Sequence, residues 1–265
     1  MNKSLSFDRA ASFYDRTREL PEPVATHGIR AILDAAGHEA FILDVGTGTG
    51  RVSVPLLNLG ANLVGCDISP KMMALLKKKF HGARLAEADA CLLPFPAGIF
   101  DALVTCHVMH LVGPWREALR EYRRVLKKGG VYINARTEDP GEGSIARKIK
   151  SFWESRVAAH GASSKRPGVQ NTEELHAELL ELGANVKQVQ VVRFSRSHSV
   201  RELIEAIAGR TQSHSWGVHD DVLAASVREV HAWAQQELGD DYLDQTSREE
   251  QVFVLDLARF YGDRA

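Results

Sequence analysis

Short apolar runs alternate with amphipathic segments along the first half of the chain. The runs fall near residues 41–45, 62–67, 84–88, 100–106 and 130–135, and the segments between them carry apolar residues at helical spacing. Alternation of this kind predicts parallel strands joined by right-handed crossover helices. We therefore expect an α/β fold whose ligand cleft lies at the edge formed by the carboxyl ends of the strands.

Residues beyond 136 depart from this alternation. Apolar periodicity predicts helices over 142–160 and from Thr172 onward, and two later runs, 186–194 and 251–260, read as strands. Residues 199–244, between these two strands, carry the spacing of two or more further helices. The second half of the chain is therefore expected to complete the sheet and to insert helices into it.

The helical insertions suggest a lid. We expect segments 139–170 and 199–248 to close over the cleft, since lids of this kind exclude water from small substrates. Packing of these helices on the sheet, or a dimer contact, is the alternative. Residues 1–265 would then form a single domain, with a helical leader over 1–40 and a cofactor-binding core over 41–136.

A glycine-spaced turn follows the first strand. Residues Phe41 to Arg51 read FILDVGTGTGR, so that a buried strand carrying Asp44 runs into a turn and then a helix. The glycines of the turn are Gly46, Gly48 and Gly50. Glycine spacing allows a sharp turn and close approach of a ligand, and the free N–H groups of the helix point at the same place. The pattern predicts a nucleotide-type cofactor site, with a plain tight turn as the alternative.

The residues around the turn narrow the choice of cofactor. A dinucleotide fingerprint requires glycine where this chain has Arg51, and the P-loop pattern is absent. A carboxylate under the turn, Asp44, would repel a pyrophosphate but suits a ligand that carries an ammonium group. Asp67 ends the next apolar strand, where a doubly wound fold places the carboxylate that binds ribose hydroxyls.

The segment DVGTGTG resembles the first motif of the class I S-adenosylmethionine (SAM) methyltransferases. Three later segments fit the same family in order: NLVGCD at 62–67, RLAEAD at 84–89 and LREYRRVLKKGGVYI at 119–133. Between the last two, LPFPAGIFDALVTCHVMHL resembles the fourth-strand motif of the type 11, ubiquinone-menaquinone methyltransferase-like group. The resemblance covers roughly residues 5 to 136.

The resemblance implies a fold and an activity. The fold is a Rossmann-like doubly wound sheet of seven strands, mostly parallel with one antiparallel edge strand, plus a helical lid. The activity is transfer of a methyl group from SAM to carbon, oxygen or nitrogen of a small-molecule acceptor. An RNA-modifying methyltransferase and a non-catalytic SAM-binding regulator are the alternatives, and a nicotinamide oxidoreductase is a more distant one because of Arg51.

The resemblance also assigns cofactor contacts. Asp67 would bind the ribose hydroxyls and Asp89, followed by Ala90, the adenine amino group. The other residues expected around the cofactor are Ile68, Met72, Cys106, Tyr14 and Arg18, the last two as the leader residues that cover SAM and pair with its carboxylate. The alternatives are that Asp67 caps a helix, although Ser69 suits that role better, that Asp89 is an ordinary loop carboxylate, and that the leader merely packs on the core.

His107 is the one candidate for catalysis. It follows the fourth strand, and a positioned histidine can remove the proton that a phenol, an amine or an acidic carbon must lose on methylation. Lining of the acceptor pocket and structural packing are the other roles open to it. The fourth strand lacks the N/D-P-P-Y/F motif of methyltransferases that act on amino groups of nucleic acid or protein.

Composition restricts location and partners. The chain has 265 residues and a formal net charge of −1, so no overall field draws it to nucleic acid or to an anionic membrane. The three cysteines lack metal spacing, and the chain has neither a signal-peptide core nor an 18-residue apolar run. We expect a cytoplasmic protein without a metal, and leave open whether it is a monomer or a homodimer.

Overall fold

The computed structural model describes residues 4–139, 141 and 143–261. Its strands are β1 (Phe41–Val45), β2 (Asn62–Asp67), β3 (Arg84–Glu87), β4 (Phe100–Cys106), β5 (Leu126–Glu138), β6 (Ala184–Ser199) and β7 (Thr246–Phe260). They form one seven-stranded sheet in the order β3-β2-β1-β4-β5-β7-β6. Strands β1 to β5 pair in parallel, and β7 runs antiparallel to β5.

This strand order confirms the predicted Rossmann-like fold and locates its crevice. Strand β1 pairs with β2 on one side and with β4 on the other. The strand order therefore reverses at β1: β2 and β3 follow on one side of it, and β4 and β5 on the other. Ligands of open α/β sheets bind outside the carboxyl ends of the strands at such a switch point. The antiparallel strand is β7, which lies one position in from the edge strand β6.

The helices follow the predicted pattern closely. They are α1 (Tyr14–Thr17), α2 (Ile29–Ala36), α3 (Ser53–Asn58), α4 (Pro70–Lys79), α5 (Trp115–Val125), α6 (Ile145–Ala159), α7 (Thr172–Glu181), α8 (Val200–Ala208) and α9 (Asp220–Leu238). Side chains cap several of their amino termini: Ser69 caps α4, Asn171 caps α7, and Ser199 forms a capping box with Glu202 at α8.

The described residues group into two compact units. Of the described residues, the first unit holds 4–138, 167–193 and 252–261, and the second holds 139, 141, 143–166 and 194–251. Most of the two segments expected to form a lid belongs to the second unit. Their closure over a cleft stays a prediction.

The core of the first unit lies between the sheet and its helices. Helix α5 places Leu119 and Tyr122 against the sheet, where both are fully buried. The Tyr122 ring packs on Tyr132 of β5 with 5.2 Å between ring centroids. Burial of apolar side chains on this scale is the main favourable term in folding, and it fixes the parallel strands that carry the crevice.

The second unit has its own apolar core. Helix α6 contributes Trp153, which is fully buried and donates its indole N–H to Ser226 of α9 at 3.1 Å. Ile204 of α8 and Val230 of α9 complete the same cluster. A buried tryptophan whose N–H is hydrogen-bonded gives these helices a defined packing. The second unit therefore has a packed core of its own.

A buried polar network joins β5, β7 and helix α7 in the first unit. Asp256 of β7 is fully buried and accepts hydrogen bonds from Asn134 at 3.0 Å and from Arg136 at 2.9 Å, both on β5. His176 of α7 lies 3.0 Å from the same carboxylate, and Gln188 of β6 donates to it at 3.2 Å. Burial would raise the pKa of Asp256, but the Arg136 guanidinium and the donated hydrogen bonds hold it below its ordinary value.

Within the described part of the chain, no helix combines the length and the apolar character needed to cross a membrane.

Candidate functional site

The glycine turn has the backbone that its sequence predicts. Gly46, Gly48 and Gly50 have φ values of 74°, 53° and 87°, a region that favours glycine. A Cβ at Gly46 would collide with Val108, and one at Gly50 would lie 2.7 Å from Cγ of Leu76. The turn therefore requires glycine for lack of space as well as for conformation.

Asp67 is tied directly to this turn. The carboxylate follows β2, and Oδ2 accepts the backbone N–H of Gly48 at 2.8 Å. Its Oδ1 accepts the N–H of Ser69 at 2.8 Å, while the Ser69 hydroxyl accepts the N–H of Met72 and so caps α4. Burial raises the pKa of Asp67. Because Ser69 caps the helix, Asp67 does not serve as the cap, and its carboxylate links the glycine turn to the end of β2. Its binding of ribose hydroxyls stays a prediction.

Asp44 is a buried carboxylate with neutral partners. Its side chain is 2% exposed, and the Ser53 hydroxyl donates to Oδ2. Burial raises the pKa of Asp44 to about 6, although hydrogen bonds from Ser53 and Thr47 oppose the shift. Over the described residues, no cationic side chain is recorded within ion-pair distance of Asp44. A buried carboxylate of this kind is stabilised by a ligand that brings a positive charge.

Arg51 belongs to the same site, although its sequence position only excluded a dinucleotide motif. Its Nη1 donates to the backbone carbonyl of Arg18 at 3.1 Å, and its Nη2 lies 3.8 Å from Sγ of Cys106. Burial works against the charge, but Tyr14 and Cys106 nearby hold the pKa of Arg51 above its ordinary value. The sequence places Arg51 directly after the glycine turn but gives no signal for these contacts, because Arg18 and Cys106 come from other parts of the chain.

The leader lies against the carboxyl edge of the sheet. Asp15 accepts a hydrogen bond from the Thr49 hydroxyl at 2.5 Å and pairs with Lys79 at 2.7 Å. Asp8 accepts from the Ser69 hydroxyl at 2.5 Å. These contacts fasten the leader to the glycine turn and to both ends of α4.

The two predicted leader residues have distinct neighbours. Tyr14 opens α1, packs edge-on against Phe7 with 5.7 Å between ring centroids, and lies near Arg51. Arg18 follows α1 and presents its carbonyl to Arg51, while its own Nη1 donates to the Thr17 carbonyl at 3.1 Å. The structure thus brings both residues to Arg51, and their contact with a cofactor stays a prediction.

The adenine end predicted from the sequence lies beyond β3. The Oδ1 of Asp89 accepts the N–H of Cys91 at 2.9 Å, and its carbonyl accepts the N–H of Leu92 at 2.9 Å, so the residue builds its own loop. Ala90 is half-buried against the core. Of the residues predicted beside the ribose, Ile68 is 37% exposed, whereas Met72 is 2% exposed and lies beneath Gly48.

His107 and Cys106 end β4 next to β5. His107 has a left-handed backbone, with φ of 57°, which is uncommon for a residue with a side chain. Its N–H donates to the Ala135 carbonyl at 3.1 Å, and Nε2 lies 3.4 Å from the Thr137 hydroxyl. Cys106 is half-buried, and burial raises the pKa of its thiol. His107 is therefore held at the carboxyl edge of the sheet by its backbone bond to β5, with its imidazole near Thr137.

Comparison with known proteins identifies the central segment. A family model described as "Methyltransferase domain" matches residues 43–134. The chain is 34% identical over 119 residues to a demethylmenaquinone methyltransferase of Thermus thermophilus, covering 43% of this chain and 54% of the relative. A protein of the same name from Tropheryma whipplei is 36% identical over 132 residues, covering 47% and 54%. The chain spans about half the length of the curated relatives it matches.

The solved structures agree on the fold. The YcgJ protein of Bacillus subtilis superposes with a TM-score of 0.60 at 16% identity, covering 89% of this chain and 98% of that one. The segment matched by the family model contains the glycine turn, Asp67, Asp89 and His107. The resemblance to methyltransferases seen in the sequence is confirmed. The matched segment includes the residues that line the carboxyl edge of the sheet.

Proposed function

Because residues 43–134 match a family model described as "Methyltransferase domain", we propose that the chain binds SAM and transfers its methyl group to a small-molecule acceptor. One observation carries the proposal: two carboxylates, Asp44 and Asp67, flank a glycine turn at the switch point of the sheet. Acids at these two positions suit a ligand with an ammonium group and a ribose, and disfavour a pyrophosphate.

The residues present fit SAM. In this proposal Asp67, held by two backbone N–H groups, keeps lone pairs for the ribose hydroxyls. The exposed Ile68 supplies an apolar surface beside it, and Asp89 accepts from the adenine amino group. Asp44, which accepts a hydrogen bond from the Ser53 hydroxyl, would stabilise the ammonium group.

Methyl transfer asks the protein mainly to position its reactants. Bound SAM would supply a methyl group on a sulfonium, open to in-line displacement by the acceptor. His107 is the residue at the same edge of the sheet that can accept a proton from the acceptor. The backbone bond to Ala135 holds His107 at this edge, and Nε2 of its imidazole lies 3.4 Å from the Thr137 hydroxyl.

The acceptor class is part of the proposal. A quinol or a related hydroxylated ring is the first candidate, because the Thermus thermophilus relative is named a demethylmenaquinone methyltransferase. The net charge of −1 supports a small molecule over RNA.

We further propose a cytoplasmic location, since the described cysteines are free thiols and suit a reducing compartment. Monomer and homodimer are both compatible with this function.

A methyl-transfer assay tests the proposal. The protein is incubated with methyl-labelled SAM and, in separate reactions, a naphthoquinol, a catechol and a primary amine. We expect label in one class of acceptor, together with release of S-adenosylhomocysteine (SAH). Binding of SAM without transfer to any acceptor of a broad panel would favour the non-catalytic regulator, and label in RNA alone would favour the nucleic-acid alternative.

The raised pKa of Asp44 predicts a pH-dependent affinity. With a pKa of about 6 in the free protein, Asp44 is ionised above that pH and protonated below it. The ionised form stabilises the ammonium of SAH, so affinity should fall by up to about tenfold per unit as the pH drops below 6. Titrations between about pH 5 and 7, where the ligand amine stays protonated, measure this.

Asp44→Asn is the matched control for that titration, because it removes the ionisable group and keeps its shape. Its SAH affinity should be low and nearly constant across the same range. A wild-type affinity that does not change with pH would contradict the assignment of Asp44.

The free energy of unfolding depends on pH in the opposite sense. A raised carboxyl pKa favours the folded state at low pH, and this contribution is lost as the pH rises through about 6.

Replacing His107 separates binding from turnover. For His107→Ala we expect SAH affinity within about twofold of wild type and turnover reduced by roughly 10²-fold if the imidazole acts as a base. Calorimetry and the methyl-transfer assay measure the two effects. His110, half-buried in the next turn, gives the matched control His110→Ala. A large loss of SAH affinity in His107→Ala would make His107 a cofactor contact instead.

A further inference from the structure

The turn that follows β4 is held by two segments that are remote from it in the sequence. Residues Met109–Leu111 form a short 3₁₀ turn, which begins two residues after His107. Its three consecutive carbonyls each accept one backbone N–H, at 3.0, 3.1 and 3.0 Å, from Val169, Gly168 and Leu5 in that order. Two of these donors lie in the loop before α7, and the third lies in the leader.

These bonds supply partners that the 109–111 turn lacks. The carbonyls that end a helical turn have no partner within it, and a buried carbonyl left without one is unfavourable. Met109 is buried, and its Sδ accepts a hydrogen bond from the Tyr122 hydroxyl at 3.7 Å in the core of the first unit. The position of the 109–111 turn therefore depends on the segments bonded to it as well as on its own sequence.

Gly168 has no room for a side chain. A Cβ at this residue would lie 2.1 Å from the Met109 carbonyl oxygen and 2.8 Å from the Val112 carbonyl oxygen. Both are backbone atoms, which cannot rotate away as the end of a flexible side chain can. The backbone of Gly168 is outside the left-handed region, so glycine is required here for space alone. Any side chain at this position must displace the 109–111 turn or the loop before α7.

The 109–111 turn continues directly from residues that lie beside the proposed chemistry. His107 has its left-handed φ of 57° and its N–H bonded to Ala135. Val108 occupies the space beside Gly46 that a Cβ there would need. Because only two residues separate the bond to β5 from the 109–111 turn, a shift of the turn changes the backbone of His107. The direction of the His107 side chain thus depends on where the turn lies.

We propose that the backbone bonds to the 109–111 turn, above all the bond from Gly168, position His107 for methyl transfer. Gly168 is then a positioning residue, and the inference rests on the proposed function. In the step concerned, His107 takes the proton of the acceptor, the acceptor gains the methyl carbon, and SAH leaves as the carbon–sulfur bond breaks. A misplacement of about 1 Å in such an alignment can lower the rate by about 10²-fold.

Kinetics and binding of Gly168→Ala test the inference. The acceptor is the compound that takes label in the methyl-transfer assay, and calorimetry measures the dissociation constant of SAH. We expect kcat to fall by about 10²-fold while SAH affinity stays within about threefold of wild type. Gly217→Ala is the matched control, because Gly217 is exposed, has no positive φ and has open space where a Cβ would lie. It should match the wild type in both measurements.

A double variant distinguishes positioning from a structural role. If Gly168 acts through His107, then adding Gly168→Ala to His107→Ala should lower kcat by no more than about threefold further, because effects of residues that act as a unit do not add. Losses that multiply to about 10⁴-fold would overturn the proposal. It would also be overturned by a wild-type kcat in either single variant, or by a loss of SAH affinity as large as the loss of kcat.

Leu5 provides the test if Gly168→Ala does not fold. Leu5→Pro removes one N–H from the 109–111 turn, and Leu5→Ala keeps it. We expect Leu5→Pro to lower kcat by about three- to tenfold, the effect of one lost hydrogen bond, and Leu5→Ala to lower it less. Equal losses in the two variants, or a Leu5→Pro loss that persists undiminished when His107 is alanine, would overturn the proposal. If the wild type methylates no acceptor, the proposed function itself fails.

Discussion

Replacing Asp67 with alanine is expected to weaken SAM binding by roughly 1.5–3 kcal/mol, about a 10- to 150-fold rise in the dissociation constant, if the carboxylate accepts charge-assisted bonds from both ribose hydroxyls. The structure adds a second cause, because the same carboxylate accepts the N–H groups of Gly48 and Ser69. Its loss removes a ligand contact and also loosens the glycine turn. Calorimetric titration with SAM measures the combined effect.

Two variants separate those causes. Asp67→Asn keeps an acceptor for the backbone N–H groups but loses the charge, so it should recover part of the affinity. Glu87→Ala removes the exposed acid that stands beside Asp67 in the register of β2 and β3, and should leave affinity unchanged. If Asp67→Ala binds SAM as tightly as Glu87→Ala does, the assignment of Asp67 to the ribose is wrong.

Replacing Asp256 with alanine is expected to lower the free energy of unfolding by about 3–5 kcal/mol, because it removes the shared acceptor of a buried network and leaves Glu138 as the ion-pair partner of Arg136. Asp256 is fully buried and holds Arg136, Asn134, His176 and Gln188. Its removal therefore affects β5, β6 and helix α7 at once. Urea denaturation of the apo protein measures the change.

The surface pair Asp244 and Arg201 provides the control. These side chains lie 3.0 Å apart, with Asp244 80% exposed, so Asp244→Ala should cost at most about 1 kcal/mol.

Because the pKa of Asp256 is lowered on folding, its contribution to the free energy of unfolding is present above the ordinary carboxyl pKa and is lost as the pH falls through the lowered value. The Asp256→Ala variant should lack that acid-dependent component. A loss of stability no larger than that of Asp244→Ala would show that the network contributes little.

The sequence predicted the parallel half of the fold well because those strands are buried on both faces. Continuous apolar runs mark such strands, and β1, β2 and β4 begin and end where the pattern places them. Strands β6 and β7, at one side of the sheet, extend beyond their apolar runs, as β6 shows by alternating exposed and half-buried positions. A partly solvated strand near the edge of a sheet loses the apolar signal while its hydrogen bonds continue.

The residues of the candidate site also differ in how far the sequence could predict them. The glycine turn and Asp67 could be found from sequence because their backbone and their position after a strand are local properties. Arg51 could not, since its role depends on the Arg18 carbonyl and on Cys106, which other parts of the chain bring to it. The left-handed backbone of His107 is likewise a product of its bond to Ala135 in β5 and has no local signal.

Calorimetric titration of the wild-type protein with SAM and with SAH, using NADH as the control ligand, is the decisive test of the proposed cofactor site. We expect micromolar binding of SAM and SAH and no binding of NADH, since the acids at the glycine turn favour an ammonium over a pyrophosphate. If neither SAM nor SAH binds, or if NADH binds more tightly, the chain is not a SAM-binding protein and the roles proposed for Asp44 and Asp67 are wrong.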